Sequence, residues 1–562
     1  MGFLDVRKIT HEHHKHVVVN SSFPLALPMA LAVFFAFILP YGASFSKAFD
    51  GPITILENSA IVRITLFTLK QAFFSVLVAL AIGLPGAWLL GSGQKRPFLR
   101  ALTAIPFAMP SILVVLGFVL FFGNSGWINR IISAITGTEG PLKILYKPEA
   151  IILAHGFFNF PLVIRLAGDG LYRIRRNYAP AAASLGSSPL MTNFRIILPL
   201  CIPSIMSAVL LVFLYSFTSF AVVLVLGGGP ASTTLPVEIY RHARIFLNYH
   251  NAGALAIVET LIAVSIFVSY VFFGKRSREI ITDIEDQWIE ITKVNSPLNN
   301  LGRVIMLIYT LVAAVFIFGP LLSILLESFL WQPSRSANQV FNTLWWSSLG
   351  KTCLPALFRS LALAFLSATS ACILAVFAAG AVKMLETQGN SLKINFVFSN
   401  LIRFFAAAPI VSSGIVLGLG WLIIYGRDFP FTLLTLVLLH AIIALPFAFN
   451  SIAEGFRSLP GNTINAASSL GAGPLHVLFS IAIPLSGKRI RSAWGFAAAL
   501  SLGELNAILM IGKENWETLP LYIYRAVGAY RYGNACAAGT LLIFCFAVCL
   551  LLSEGLKEKT NA

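Results

Sequence analysis

Charged side chains are scarce in this 562-residue chain, where they make up 11% of the residues, and only 23 are Asp or Glu. A water-soluble globular chain carries about 25%, so most of the surface is not expected to face water. The six cysteines, Cys201, Cys353, Cys372, Cys536, Cys545 and Cys549, include no CxxC pair. That removes the usual sign of a zinc site or a disulfide framework, and the thiols read as small buried hydrophobes. No HExxH stretch, Ser-His-Asp arrangement or carboxylate pair stands out, so no catalytic or metal site is expected. The phosphate loop GxxxxGK[ST] needed for ATP hydrolysis is missing too. Its nearest approach is Gly350-Lys351-Thr352, but Trp345 stands where the first glycine must be.

Apolar residues fill the gap. They account for 57% of the chain, and the mean hydropathy is +0.82. A spanning helix needs about 20 apolar residues, and twelve such runs are expected near 24–45, 62–90, 101–122, 149–167, 199–226, 252–273, 303–330, 358–384, 401–425, 431–452, 484–511 and 535–553. The first run begins late and lacks a well-placed small-x-small site, so it reads as an uncleaved span. The His-rich stretch 11–16 before it reads as a solvated tail, with metal binding as the lesser alternative. The net charge of +17 sits mostly in the short gaps between runs, among them Lys95, Arg96, Arg173, Arg175, Arg176, Lys275 and Arg276. The positive-inside rule accounts for that placement with both termini cytoplasmic, and no nucleic-acid partner is needed.

The two halves repeat. His155 and Pro161 recur as His440 and Pro446, and Gly186, Phe194 and Pro199 as Gly471, Phe479 and Pro484, each 285 positions later. Leu235-Pro236 and Tyr240 recur as Leu519-Pro520 and Tyr524 at an offset of 284. Pro106 aligns with Pro409, the larger offset reflecting a longer outward loop in the first copy, around 123–148. An even number of spans per copy inserts both in the same sense. The expected fold is therefore an all-α polytopic membrane protein of two tandem six-helix repeats in parallel orientation. Residues 1–273 form the first with its cytoplasmic tail, 274–302 a charged cytoplasmic linker, and 303–562 the second.

Two cytoplasmic connections share one pattern. The first reads Pro180-Ala181-Ala182-Ala183-Ser184-Leu185-Gly186 and later Leu198-Pro199, the second Asn465-Ala466-Ala467-Ser468-Ser469-Leu470-Gly471 and later Ile483-Pro484. Each predicts a short Ala-rich helix stopped by glycine, presented to the cytoplasm as a small-faced knob for a partner's groove. This pattern resembles the "EAA" loop of binding-protein-dependent ABC importer permeases. Carried over residue by residue, Ala181, Ala182 and Gly186, and Ala466, Ala467 and Gly471, take the motif positions, while Pro180 and Asn465 replace the acidic residue. Fused permeases of two six-helix halves occur in the iron(III)/thiamine/polyamine branch of that family, and the segments Ser219-Phe220-Ala221, Leu226 to Pro230, Ser501-Leu502-Gly503-Glu504 and Gly528-Ala529-Tyr530-Arg531 resemble its thiamine members.

The resemblance implies a permease subunit of the bacterial inner membrane that moves a small solute. It would stand in membrane lipid beside two copies of a cytoplasmic ABC ATPase and a periplasmic or lipid-anchored solute-binding protein. No cofactor is expected on this chain, and ATP and Mg would belong to the ATPase. Thiamine is the expected solute, with iron(III) or another small cation as the alternative. A secondary transporter with twelve spans is the rival class, but it has no need of paired EAA loops. Ionisable groups inside spans face cavities or partners, which singles out Lys70, Glu259 and Glu504. Glu504 would stabilise a cationic solute, or instead bond a neighbouring helix. Tyr240, Trp516 and Tyr524 would stack on a flat cationic ring, or else form an interfacial belt. His155 and His440 read as packing residues.

Overall fold

The computed structural model describes residues 24–51, 59–90, 109–138, 142–227, 229, 232–282, 300–330, 344–350, 353–387, 393–426, 432–512 and 516–554. The His-rich stretch 11–16, Lys95, Arg96, Pro106, Gly228, Pro230, residues 283–299 of the expected linker and Lys351-Thr352 lie outside them. Among the described residues every regular element is helical.

In chain order the main helices are α1 (Pro24–Phe49), α2 (Ser59–Leu90), α3 (Ser111–Phe122), α4 (Trp127–Thr136), α5 (Pro148–Ser184), α6 (Leu198–Phe217), α7 (Ala221–Leu226), α8 (Leu235–Arg244) and α9 (Tyr249–Thr282). The second copy continues with α10 (Asn300–Leu330), α11 (Cys353–Thr387), α12 (Lys393–Ala407), α13 (Gly414–Tyr425), α14 (Thr432–Arg457), α15 (Gly461–Ser469), α16 (Gly487–Gly503), α17 (Asn506–Ile511), α18 (Leu519–Gly528) and α19 (Tyr532–Glu554).

Among the described residues ten helices are long and apolar enough to cross a membrane, and the bent pair at Asn395–Val411 and Gly414–Tyr425, angled by 99°, raises that to eleven. The expected count was twelve. The difference lies at 484–511, where α16 stops after 17 residues and the chain bends at Glu504-Leu505 before α17. The first copy breaks at the matching place, between α6 and α7, with Phe220 (φ −114°) and Leu505 (φ −118°) as equivalent caps. Other expected borders move as well. The sixth span runs on as helix to Thr282, into the expected linker. The long loop of the first copy that was expected to face outward contains the amphipathic helix α4.

The helices gather into two compact units. One comprises Met1–Ser44, Lys351–Tyr522 and Leu541–Ala562, the other Phe45–Gly350 and Ile523–Thr540. In the first of these, α11, α14 and α16 pack on one another, and in the second α2, α5 and α6 do the same. These units do not follow the sequence halves, because each repeat's opening helix joins the helices of the other repeat. In one unit α1 lies against α13. A π-helical turn at Phe34–Ile38 and Pro40 interrupt the ladder of α1, and freed carbonyls need partners in lipid. Trp421 Nε1 donates to Ala36 O at 3.1 Å, Ser44 Oγ to Val416 O at 3.2 Å. Gly420 permits the crossing, since a Cβ there would stand 2.0 Å from Pro40 O. In the other unit α10 lies against α3, where a Cβ on Gly117 would stand 2.8 Å from Pro320. Gly117 and Gly420 are equivalent positions in the repeat, as are Pro40 and Pro320. The same glycine-proline crossing is thus built twice.

The six thiols form no disulfide: Cys201, Cys353, Cys372 and Cys536 are buried and Cys545 and Cys549 half-buried, as small hydrophobes should be.

Candidate functional site

The two matched Ala-rich connections close on the same turn. Ala181 is exposed and Ala182 buried, while Ala466 is exposed and Ala467 half-buried. Gly186 (φ 77°) and Gly471 (φ 86°) adopt the left-handed conformation, which costs an L-residue about 1–2 kcal/mol. In the first loop Gly186 N–H bonds Ala183 O and Ser187 N–H bonds Ala182 O, both at 3.0 Å; in the second Gly471 N–H bonds Ser468 O and Ala472 N–H bonds Ala467 O, again both at 3.0 Å. This paired closure satisfies the last helical carbonyls. Open space surrounds both glycines. Immediately before them Leu185 and Leu470 are 87% and 89% exposed, so each turn presents an apolar side chain outward beside a bare backbone. A short helix and a π-helical turn follow in both copies, at Pro189–Thr192 and Asn193–Ile197, and at Pro474–Val477 and Leu478–Ala482.

The expected short Ala-rich helix exists as a separate element only in the second copy, as α15. In the first copy Ala181 and Ala182 belong to the end of α5, one helix of 37 residues. The cause is local. Ser458-Leu459-Pro460-Gly461 supplies a helix stop, whereas the matching Arg173-Ile174-Arg175-Arg176 is helix-compatible. Arg175 further steadies the rod by lying over the Trp88 ring at 4.5 Å and donating to Asn193 Oδ1 at 3.3 Å.

The semi-polar segments after the helix breaks contain α8 and α18. Tyr240 and Tyr524 lie near one another in the same unit. Burial raises the Tyr524 hydroxyl above its ordinary pKa, and the Tyr240 hydroxyl adds to the rise. The Tyr240 ring also contacts Phe220 at 5.2 Å. Glu238 is buried, accepting from Thr233 Oγ1 at 2.9 Å and Arg241 Nη1 at 2.6 Å. Glu259 is buried in α9.

Glu504 and Trp516 belong to the other compact unit. The half-buried Glu504 carboxylate accepts the Ala507 N–H at 3.1 Å, so it caps the first turn of α17 at the break. Its Oε1 also lies 3.2 Å from where a Cβ on Gly414 would be, at the start of α13. A carboxylate at helix N-termini is in favourable surroundings. Trp516 lines an open cavity of about 540 Å³ with Leu366, Ser370, Thr432 and Val437. Lys70 is exposed on α2.

Sequence reasoning passed over three polar groups. Gln71 Nε2 donates to Ser216 O at 2.8 Å, at the end of α6, and Gln71 Oε1 takes the Nδ1 of His155 at 3.1 Å. Asn159 adds a 3.2 Å bond to Ser216 Oγ. In the second copy the tie is direct, His440 Nδ1 to Ser501 Oγ at 2.8 Å. Both histidines therefore brace the helix breaks. Glu327, buried in α10, accepts from Trp127 Nε1 at 3.0 Å and Arg130 Nη1 at 2.8 Å and pins α4. A polar residue inside an apolar run was the available signal for Gln71 and Glu327.

The family model described as the binding-protein-dependent transport system inner membrane component matches residues 75–278 and 373–559, one segment in each repeat. The chain is 28% identical over 511 residues to the thiamine transport system permease protein ThiP of Brucella suis, covering 89% of each chain. It is 25% identical over 558 residues to ThiP of Escherichia coli, covering 96% of this chain and 97% of that one. The spermidine/putrescine transport system permease protein PotB of E. coli is 28% identical over 207 residues, 36% of this chain and 75% of its own.

Proposed function

Because the chain belongs to the inner-membrane components of binding-protein-dependent transport systems, we propose that it is the fused permease of an ATP-driven importer whose solute is thiamine. The observation that carries the solute is coverage: relatives bearing the thiamine name span about nine-tenths or more of both chains, whereas the polyamine relative spans 36% of this one. A binding protein delivers the solute from outside. Two copies of a separate ATPase bind from the cytoplasm, where both termini also lie. The paired turns at Ala181-Ala182-Gly186 and Ala466-Ala467-Gly471 receive the ATPase movement, with Leu185 and Leu470 as the apolar contacts that take over where an acidic motif residue is missing.

Import is then a rigid-body switch between inward-facing and outward-facing states, biased by ATP bound on the partner. In one unit Glu504 stabilises the cationic ring as it crosses and Trp516 offers it an aromatic face; in the other unit Tyr240 and Tyr524 offer aromatic faces of their own. Reconstitution of the chain with its ATPase and binding protein in proteoliposomes tests this reading. Uptake of labelled thiamine that needs ATP and all three components is expected. Uptake of iron(III) or spermidine in place of thiamine would refute the solute, and uptake on an ion gradient without the ATPase would refute the importer.

A further inference from the structure

The outer helices α8 and α18 each begin Leu-Pro, with Leu235-Pro236 in one and Leu519-Pro520 in the other. Proline has no N–H, so the leucine amide is the first donor of its helix. Both leucines are fully buried, at 0% exposure, and a buried N–H must find an acceptor. The Thr234 side chain preceding α8 does not cap it. The acceptor comes from a spanning helix. Leu235 N–H donates to Thr68 Oγ1 on α2 at 3.1 Å, and Leu519 N–H donates to Ser360 Oγ on α11 at 2.7 Å. Thr68 and Ser360 are buried and stand on corresponding helices of the two copies. The Thr68 hydroxyl is also used as a donor, to Ile64 O at 2.7 Å, so it joins two helices with one oxygen. Within each unit α2 or α11 packs along the helix that leads toward the coupling turn, α5 or α14. Thr68 and Ser360 are therefore where a displacement of that packed pair reaches the outer helix.

We propose that Thr68 and Ser360 are positioning residues that make α8 and α18 move with α2 and α11 during the transport cycle. The hydroxyl oxygen is the working atom, so any hydroxyl-bearing residue should serve and an isosteric apolar one should not. The transport arm rests on the permease reading above, while the latch itself is measurable without any solute.

The test uses the purified complex with its ATPase and its solute-binding protein in nanodiscs. Amide deuterium exchange across 235–244 should rise roughly five- to tenfold in Thr68→Val, with 519–528 and the body of α2 unchanged. Ser360→Ala should show the converse. Thr68→Ser and Ser360→Thr should exchange like wild type. Solute-stimulated ATP hydrolysis should fall several-fold in Thr68→Val while the basal rate is kept, and Thr68→Ser should restore it. Unchanged exchange in both apolar variants would overturn the latch, and so would equal damage from Thr68→Ser and Thr68→Val. Faster exchange with undiminished solute stimulation would overturn the positioning role. A wild-type complex stimulated by iron(III) and indifferent to thiamine would sink only the solute assignment, since the same comparisons then run with iron(III).

Discussion

In the first copy α5 runs as one helix from Pro148 to Ser184, so His155 beside the helix break and Ala182 at the proposed coupling turn lie on one helix, roughly 40 Å apart at 1.5 Å per residue. In the second copy Arg457 ends α14 and Pro460 caps a new helix, α15. The turns that follow are nearly the same, with glycine φ of 77° and 86°. One copy therefore carries its proposed coupling turn at the end of a continuous helix, which includes Pro161 and Pro180, and the other carries it beyond a break. Identical end pieces on unlike levers should feel the same insult at the turn and different insults at the stem.

The largest expected effect tests the likeness. Gly186→Arg and Gly471→Arg each place a long cation where the structure leaves open space, on a backbone that resists any side chain. Each should lower ATP-dependent uptake more than tenfold in proteoliposomes while the chain still inserts and the ATPase still turns over. Normal uptake in both variants would remove the turns from the coupling mechanism.

The next effect tests the difference. Arg175→Pro gives the first copy the proline that the second has at Pro460, within the last third of α5, at a cost of about 3 kcal/mol. Uptake should fall severalfold beyond the Arg175→Ala control, which removes the Trp88 and Asn193 contacts alone. The reverse change, Pro460→Ala, should be mild, because a joint made more helical does not lose its turn. Equal uptake in Arg175→Pro and Arg175→Ala would show that a continuous rod is not required.

A third, smaller effect concerns the braces at the helix breaks. Gln71 holds the Ser216 carbonyl in one copy, and His440 reaches Ser501 directly in the other. Gln71→Leu should leave that carbonyl unsatisfied, lowering the thermal stability of the purified chain by roughly 1–3 kcal/mol equivalent. Leu363, its counterpart in the second copy, is already buried and apolar, so Leu363→Ala should perturb only packing there. A Gln71→Leu chain that melts like wild type would make the brace dispensable.

The repeat explains how much was legible beforehand. Matched prolines, glycines and histidines at an offset of 285 made the tandem architecture legible, and with it the two left-handed glycine turns at Gly186 and Gly471. The continuity of α5 was hidden because Arg173, Arg175 and Arg176 look like a loop to a hydropathy count, although arginine is a good helix former. The placement of α1 against α13 and of α10 against α3 was hidden for another reason. An apolar helix surrounded by lipid advertises no partner, and only the match of Gly420 to Pro40 and of Gly117 to Pro320 says which neighbour it prefers. The break at Glu504 was hidden by the apolar residues on both sides.

That break also holds the finest difference between the copies, for Glu504 occupies the place of Ser219 in the first. Two roles compete for its carboxylate: capping α17 through the Ala507 N–H and stabilising a cation in the path. Glu504→Gln separates them, because an amide oxygen still accepts the N–H while the charge is gone. If the charge serves the solute, the KM for thiamine should rise a few-fold with assembly and melting temperature unchanged, and raised salt should weaken wild type more than the variant. If the carboxylate is only a cap, Gln will transport like Glu, and Glu504→Leu, which loses the acceptor as well, will be the first substitution to lower stability. The copy that has serine at this position needs no anion to make its bend, so a KM that stays fixed on Glu504→Gln would leave the charge without a task in transport.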